Sequence, residues 1–291
     1  MKDAKNANLR NCFSDKAKRL WNYFTTYERT WLLVFSLIAI VCSIILPEDS
    51  SRSIFGTTLD GTLITVFVVV STIIGLLAEI LASKQSKWHA FIYIFVEILE
   101  IIRFLLVIAW TQMLVCLLFW LPIHIITFIN WQKHEDKAEK EKTIVRALKP
   151  KYVVMLISGV VVWTLVFGYL FAYLTEGMNL FTTELSQAIS PYLDACASGL
   201  AIANGILLYF RYTESWIVWI IYSIVCIPFY ILNGWYVFIV LQLGYLTNAI
   251  YGYVTWKKYT KNKADKNQKN EETKENYRQS ELTEDKENQH P

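Results

Sequence analysis

Glu97, Glu100 and Arg103 stand at i, i+3 and i+6 inside an otherwise apolar run, a spacing that sets them along one stripe of a helix and lets Glu100 meet both neighbours. Ionisable groups in hydrocarbon cost several kcal/mol unless they face a cavity or a partner. Two carboxylates against one guanidinium leave a formal charge of minus one, which can balance a cationic pyridinium or thiazolium or accept hydrogen bonds from an uncharged deoxynucleoside. The plainer alternative is a Glu–Arg pair neutralised within a helix bundle. Trp216 and Trp219 follow at one-turn spacing, and Tyr222 extends the row. Such a row is either an interfacial aromatic belt or a wall for a flat heteroaromatic ring, with cation–π attraction of about 0.5–2 kcal/mol if the ring is charged.

Other polar side chains lie at mid-segment depth. Asn204, Gln242 and Asn248 supply the paired donors and acceptors that ribose hydroxyls need, or else bond helix to helix. His124 follows Pro122 by two residues, and it is either a packed histidine or a contact for solute or proton. His89 reads as interfacial. Several chemistries are excluded. The chain has no G-x-x-x-x-G-K-[ST], H-E-x-x-H or G-x-S-x-G run, and its 5 cysteines, Cys12, Cys42, Cys116, Cys196 and Cys226, form no C-x-x-C. Neither a cofactor, a metal site nor catalysis is expected.

The elements that must position these residues are membrane spans. Hydrophobic residues make up 54% of the chain and aromatic residues 15%, arranged in blocks too long for half-exposed helices of a soluble core. Eight segments result, at roughly 31–46, 63–82, 88–108, 113–131, 152–174, 193–210, 216–232 and 235–256. A tight turn at Ala109-Trp110-Thr111-Gln112 parts the third from the fourth. Lys and Arg concentrate in the arm over 1–30, the loops near Lys84 and Lys137, the Arg211 turn and the tail from Lys257, with only Arg52 on the opposite side. The positive-inside rule then places both termini in the cytoplasm. Anionic lipid explains the basic residues more simply than nucleic acid does. The tail over 257–291, rich in Lys, Glu, Asn and Gln, is expected to be disordered.

Segments two to four (63–131) and six to eight (193–256) form two triplets around the fifth span (152–174), and one intervening crossing gives both triplets the same orientation. Ser86-Lys87-Trp88 opens segment three as Glu214-Ser215-Trp216 opens segment seven, and each triplet closes on a tryptophan, Trp131 and Trp256. Pro122 and Pro228 are expected to bend their helices.

The run Pro191-Tyr192-Leu193-Asp194-Ala195, the block Arg211-Tyr212-Thr213-Glu214-Ser215-Trp216-Ile217-Val218-Trp219, then Tyr230-Ile231-Leu232-Asn233-Gly234 and Gly252-Tyr253 with Trp256 resemble the second half of the Pnu-type vitamin transporters. Gly75 to Ala82, Lys84, Leu121-Pro122 and Trp131 resemble the first half, so the likeness spans about 63 to 256. It implies an all-α membrane protein of eight transmembrane helices, one N-terminal helix (31–46) plus a 3+1+3 parallel repeat related to the SWEET transporters. It further implies a homotrimer in a bacterial plasma membrane and facilitated diffusion of nicotinamide riboside or a related vitamin, trapped afterwards by a cytosolic kinase. Phe95, Cys116, His124, Gly205 and Ser223 stand where that family carries polar residues that hydrogen-bond the solute, so His124 and Ser223 join the candidates. Relatives named for thiamine, riboflavin and deoxynucleosides keep those solutes open. A proton-coupled symporter using Glu97 or Glu100 is the nearest rival mechanism, and an intramembrane enzyme or receptor-like subunit the more distant one.

Overall fold

A computed structural model describes residues 21–45, 52–54, 57–59, 61–106, 110–139, 142–174, 183–232 and 236–287. Most of the basic N-terminal arm, residues 107–109 of the turn before Trp110, and Asn233-Gly234 lie outside them. In chain order come α1 (Thr26–Ile45), an antiparallel hairpin of β1 (Arg52–Ile54) and β2 (Thr57–Leu59), then α2 (Gly61–Ser83) and α3 (Trp88–Leu106). Next, α4 (Trp110–Val115), a π-helical turn (Cys116–Trp120) and α5 (Leu121–Lys133) run end to end. Then follow α6 (Pro150–Leu174), α7 (Glu184–Tyr209), α8 (Ser215–Leu232) and α9 (Tyr236–Glu287).

Among the described residues, six of the eight apolar segments form helices long and apolar enough to cross a membrane: α1, α2, the stretch Met113–Lys133, α6, α7 and α8. The chain is therefore a multi-pass α-helical membrane protein. The other two differ in composition: α3 carries three charged residues, Glu97, Glu100 and Arg103, and the apolar part of α9 is broken by the amides Gln242 and Asn248.

Local chemistry sets the irregular points. Thr183 caps α7 by accepting from Ser186 N, and Ser186 Oγ accepts from Thr183 N in return, so α7 begins nine residues before the expected start at 193 and carries Pro191 inside it. Pro122 lacks an N–H and its ring crowds the carbonyl a turn earlier, and the backbone widens into the π turn just ahead of it. Helices α2 and α7 end alike. Gln85 and Arg211 both take φ 62°, Gln85 N bonds Ala82 O with Ser86 N bonding Leu81 O, and Arg211 N bonds Leu208 O with Tyr212 N bonding Leu207 O. Each is a Schellman termination.

These two turns are tied together. Thr143 N bonds Gln85 O, Arg146 N bonds Arg211 O and Thr213 N bonds Arg146 O, so the segment after α5 laces the ends of α2 and α7. Trp131, closing α5, donates Nε1–H to Leu208 O at 2.9 Å, and Trp256 of α9 donates to Ala82 O and Ser83 O, both at 3.1 Å. Each of these buried tryptophans thus caps the terminal carbonyls of a helix from the other half, and the two rings lie 5.6 Å apart. His89 is packed 4.2 Å from the Trp131 ring and fully buried, which corrects its interfacial reading.

Helices α6 and α7 interlock through glycines. Gly168 receives the Tyr192 ring, and a Cβ on Gly199 would sit 2.8 Å from Trp163 Cδ1. Gly199→Val is expected to force the helices apart at a cost of about 1–3 kcal/mol, read as a lower thermal midpoint in detergent.

Beyond Lys257 the chain continues the α9 helix through Glu287 instead of the expected irregular tail. Lys, Glu and Gln are good helix formers, and pairs such as Gln268 to Glu272 at i, i+4 support an exposed helix. Its first turns are anchored: Asp136 accepts from Lys263 Nζ at 2.7 Å and from Tyr259 OH. Burial pushes the Asp136 carboxyl up, but hydrogen bonds from Lys263, Tyr259 and Ala138 N–H outweigh it and hold it well below the usual carboxylate range. A carboxyl depressed in the folded state stabilises above its unfolded value of about 4 and loses that contribution as pH falls towards the folded one. The protection of amides over 257–267, relative to their intrinsic exchange rate at each pH, is therefore expected to be lower at about pH 3 than at pH 7, and Asp136→Asn to lower it at pH 7.

Candidate functional site

A cavity of about 370 Å³ opens between α2, α3, the π turn with α5, α7, α8 and α9, within the range of small-molecule sites. One wall is aromatic. Trp219 and Tyr222 stack with ring centroids 4.6 Å apart and planes 3° from parallel. The same lining also holds Tyr93 and His124, stacked at 4.7 Å, with Trp120 6.0 Å from His124. The π turn ends on Trp120, which puts Trp120 and His124 one turn apart on the same lining.

The polar wall comes from α2 and α3. Glu100 takes Arg103 on Oε2, through Nε at 2.8 Å and a terminal nitrogen at 2.5 Å, and Ser71 Oγ on Oε1 at 2.7 Å. Glu97 Oε1 lies 3.6 Å from His124 Nε2. Glu79, which lines the same cavity, accepts from Tyr93 OH at 2.5 Å and from Asn248 Nδ2 at 3.3 Å. Three carboxyl groups, Glu79, Glu97 and Glu100, thus line the cavity, and Arg103 pairs with one of them.

Seven of the ten candidate residues line the cavity: Trp219, Tyr222, Glu97, Glu100, His124, Asn204 and Gln242. Ser223 lies behind it, fully buried, bonding Trp219 O and accepting from Gln242 Nε2 at 2.8 Å, so it positions Gln242. Asn248 joins α9 to α2 through Glu79, the helix-bonding alternative of the sequence analysis. Trp216 lies below the cavity, packed on Gly252 and 5.5 Å from the Trp256 ring.

The matching block at 211–219 divides likewise. Arg211 bonds Asn130 Oδ1 at 3.2 Å and Glu214 accepts from Leu148 N at 2.9 Å, so its charges hold the turn while its tryptophans serve the interior.

Residues 65–258 match the model of the nicotinamide mononucleotide transporter family, a span that runs from within α2 to just short of the anchoring residues Tyr259 and Lys263 of α9. The chain belongs to this family. A nicotinamide riboside transporter PnuC of Neisseria mucosa is 25% identical over 254 residues, 84% of this chain and 86% of the relative. PnuC of Escherichia coli is 25% identical over 182 residues, 57% of this chain and 74% of the relative. The crystal structure of the vitamin B3 transporter PnuC shares the fold, with a TM-score of 0.57 and 22% identity over 82% of this chain and 94% of the other.

Within this transporter-family chain, Glu79 is the residue that the sequence reasoning missed. It is the lone charged residue of α2, an intramembrane carboxyl of the kind that marks a pathway, and it sits inside the Gly75–Ala82 stretch already matched to the family. Tyr93, Tyr230 and Tyr245 were hidden for another reason: among 17 tyrosines in an aromatic-rich chain, only folding shows which line a cavity.

Proposed function

We propose that the chain imports nicotinamide riboside across a bacterial plasma membrane by facilitated diffusion. The observation that carries this reading is a cavity that combines stacked aromatic rings with three carboxyl groups. A pyridinium ring stacks on Trp219 and Tyr222 while Glu79, Glu97 and Glu100 offset its charge. The same field disfavours a phosphate group, and among the described residues no Lys or Arg lines the cavity to receive one. The riboside named for the relatives therefore fits better than the mononucleotide of the family description. Asn204, Gln242 and His124 supply donors and acceptors for the ribose.

The full architecture follows the same reading: eight spans, with α2, α3 and α4–α5 forming one triplet, α7, α8 and α9 the other, and α6 joining them. The matched left-handed residues Gln85 and Arg211 and the exchanged tryptophan caps support a parallel repeat. The two triplets rock about the cavity, both termini face the cytoplasm, and three copies assemble. A cytosolic kinase traps the solute as its phosphate. Neutral deoxynucleosides leave the cavity's charge unmatched and bind more weakly. Titrating riboside and mononucleotide into detergent-solubilised protein while following tryptophan fluorescence tests this: quenching by the riboside alone supports it, and equal quenching by both defeats it.

The Glu97–His124 pair favours one rival, proton coupling. Facilitated diffusion predicts that an imposed proton gradient fails to concentrate the solute. Accumulation that follows the gradient would establish the rival.

A further inference from the structure

Apart from Glu184 in the first turn, Asp194 is the only charged residue of α7, and it does not line the cavity described above. It belongs to the run Pro191-Tyr192-Leu193-Asp194-Ala195 that resembles the Pnu-type transporters, at the head of the apolar stretch over 193–210. The residue is exposed, and among the described residues its carboxyl accepts no hydrogen bond and forms no ion pair. An ionisable side chain in a membrane helix is costly unless it faces water or a partner, and one that faces water marks a solute or ion pathway.

Helix geometry says which way Asp194 faces. Gly205 follows three turns later on nearly the same face of α7, a rise of about 16 Å, and Gly205 lines the cavity. Leu200, Ala203 and Leu207, which pack with Val218 of α8 in one core cluster, fall on the opposite side of α7. Tyr230, near the end of α8, also lines the cavity, and Asp194 is close enough to Tyr230 and Cys226 to act on them electrostatically. Asp194 therefore stands at the end of the cavity nearest the start of α7. In the orientation proposed above, with both termini cytoplasmic, that end is the external one.

We propose that Asp194 is an entry residue, a carboxylate at the external mouth that draws a cationic solute towards the cavity. This rests on the nicotinamide riboside reading and its orientation, and adds how the solute is gathered. An exposed charge acts over about 10 Å at 0.1 M salt, and a charged cleft raises association rates by about tenfold or more when salt is low. Tyr222 of the stacked pair lies about two turns further in than Tyr230 along α8. The Asp194 charge thus lowers the barrier to entry without holding the bound ring, so association and dissociation slow together when it is removed.

The test is stopped-flow tryptophan fluorescence of the full chain in detergent, mixed with nicotinamide riboside at about 20 mM and about 500 mM salt. For Asp194→Asn the association rate constant is expected to fall about fivefold at low salt and to match the wild type at high salt. The dissociation constant should stay within about twofold, because the dissociation rate falls in proportion. Asp194→Lys should associate more slowly still at low salt, and Asp194→Glu should keep the wild-type rate. Asp194→Asn, which removes only the charge, carries the test if Asp194→Lys does not fold. Unchanged association in Asp194→Asn at low salt overturns the proposal. A loss that high salt does not erase also overturns it, since it reports altered packing, as does faster dissociation with association intact, since Asp194 would then hold the bound solute. In each of these cases the wild type still responds to the riboside and the functional reading stands. A wild type that gives no response to the riboside overturns that reading, and the entry role with it.

Discussion

Trp219→Ala is expected to slow nicotinamide riboside uptake about thirtyfold. The estimate takes about 2 kcal/mol from loss of base–aromatic stacking and of cation–π attraction to a charged ring. Trp219 and Tyr222 form one parallel pair, so removing the first also frees the second to rotate out of the wall. The loss should appear as a raised half-saturation concentration, because the stack binds the solute rather than moving the helices. Trp219→Phe keeps an aromatic face and should recover most of the uptake. Equal loss in the Phe and Ala variants would mean that the ring acts through packing instead of stacking.

Trp256→Ala should have the largest effect on stability, lowering the thermal midpoint in detergent by roughly 10 °C, in line with about 3–5 kcal/mol for emptying a buried tryptophan site. The side chain is fully buried, touches the rings of Trp131 and Trp216, and satisfies Ala82 O and Ser83 O at the end of α2. Truncation opens a cavity and leaves those carbonyls unpaired. Trp256→Phe separates the two causes: it retains most of the volume, so whatever midpoint it loses reports the hydrogen bonds. Ile224→Ala, at an outward position 56% exposed, is the matched control and should shift the midpoint little.

The apolar runs were legible because a membrane span must be both long and hydrophobic, and helices stand wherever such runs are described. One-turn spacing put Trp219 and Tyr222 in a row, and the family resemblance favoured a wall over an interfacial belt. Depth and partners were not. Asn248 and Gln242 lie six residues apart on α9, yet Gln242 lines the cavity while Asn248 bonds α2; which face meets which helix is decided by packing that spacing does not encode. Trp216 has the spacing of a wall residue but sits one turn nearer the end of the bundle, where Gly252 leaves room for its ring. The start of α7 at Glu184 was signalled by Thr183 and Ser186 but masked by Pro191, which ordinarily argues against a helix continuing through it. Glu79 needed no folding to be suspected, since a lone carboxyl amid apolar residues is informative by itself. What folding added was Tyr93 and Asn248, which hold it toward the cavity.

The central claim is that a cavity of negative charge admits a cationic riboside and excludes its phosphate. Purified protein in proteoliposomes without ion gradients, given labelled nicotinamide riboside or labelled nicotinamide mononucleotide, tests it directly. The account predicts that the riboside equilibrates across the membrane and stops, while the mononucleotide stays outside. Entry of the mononucleotide at a comparable rate, or accumulation of the riboside above equilibrium, would contradict it.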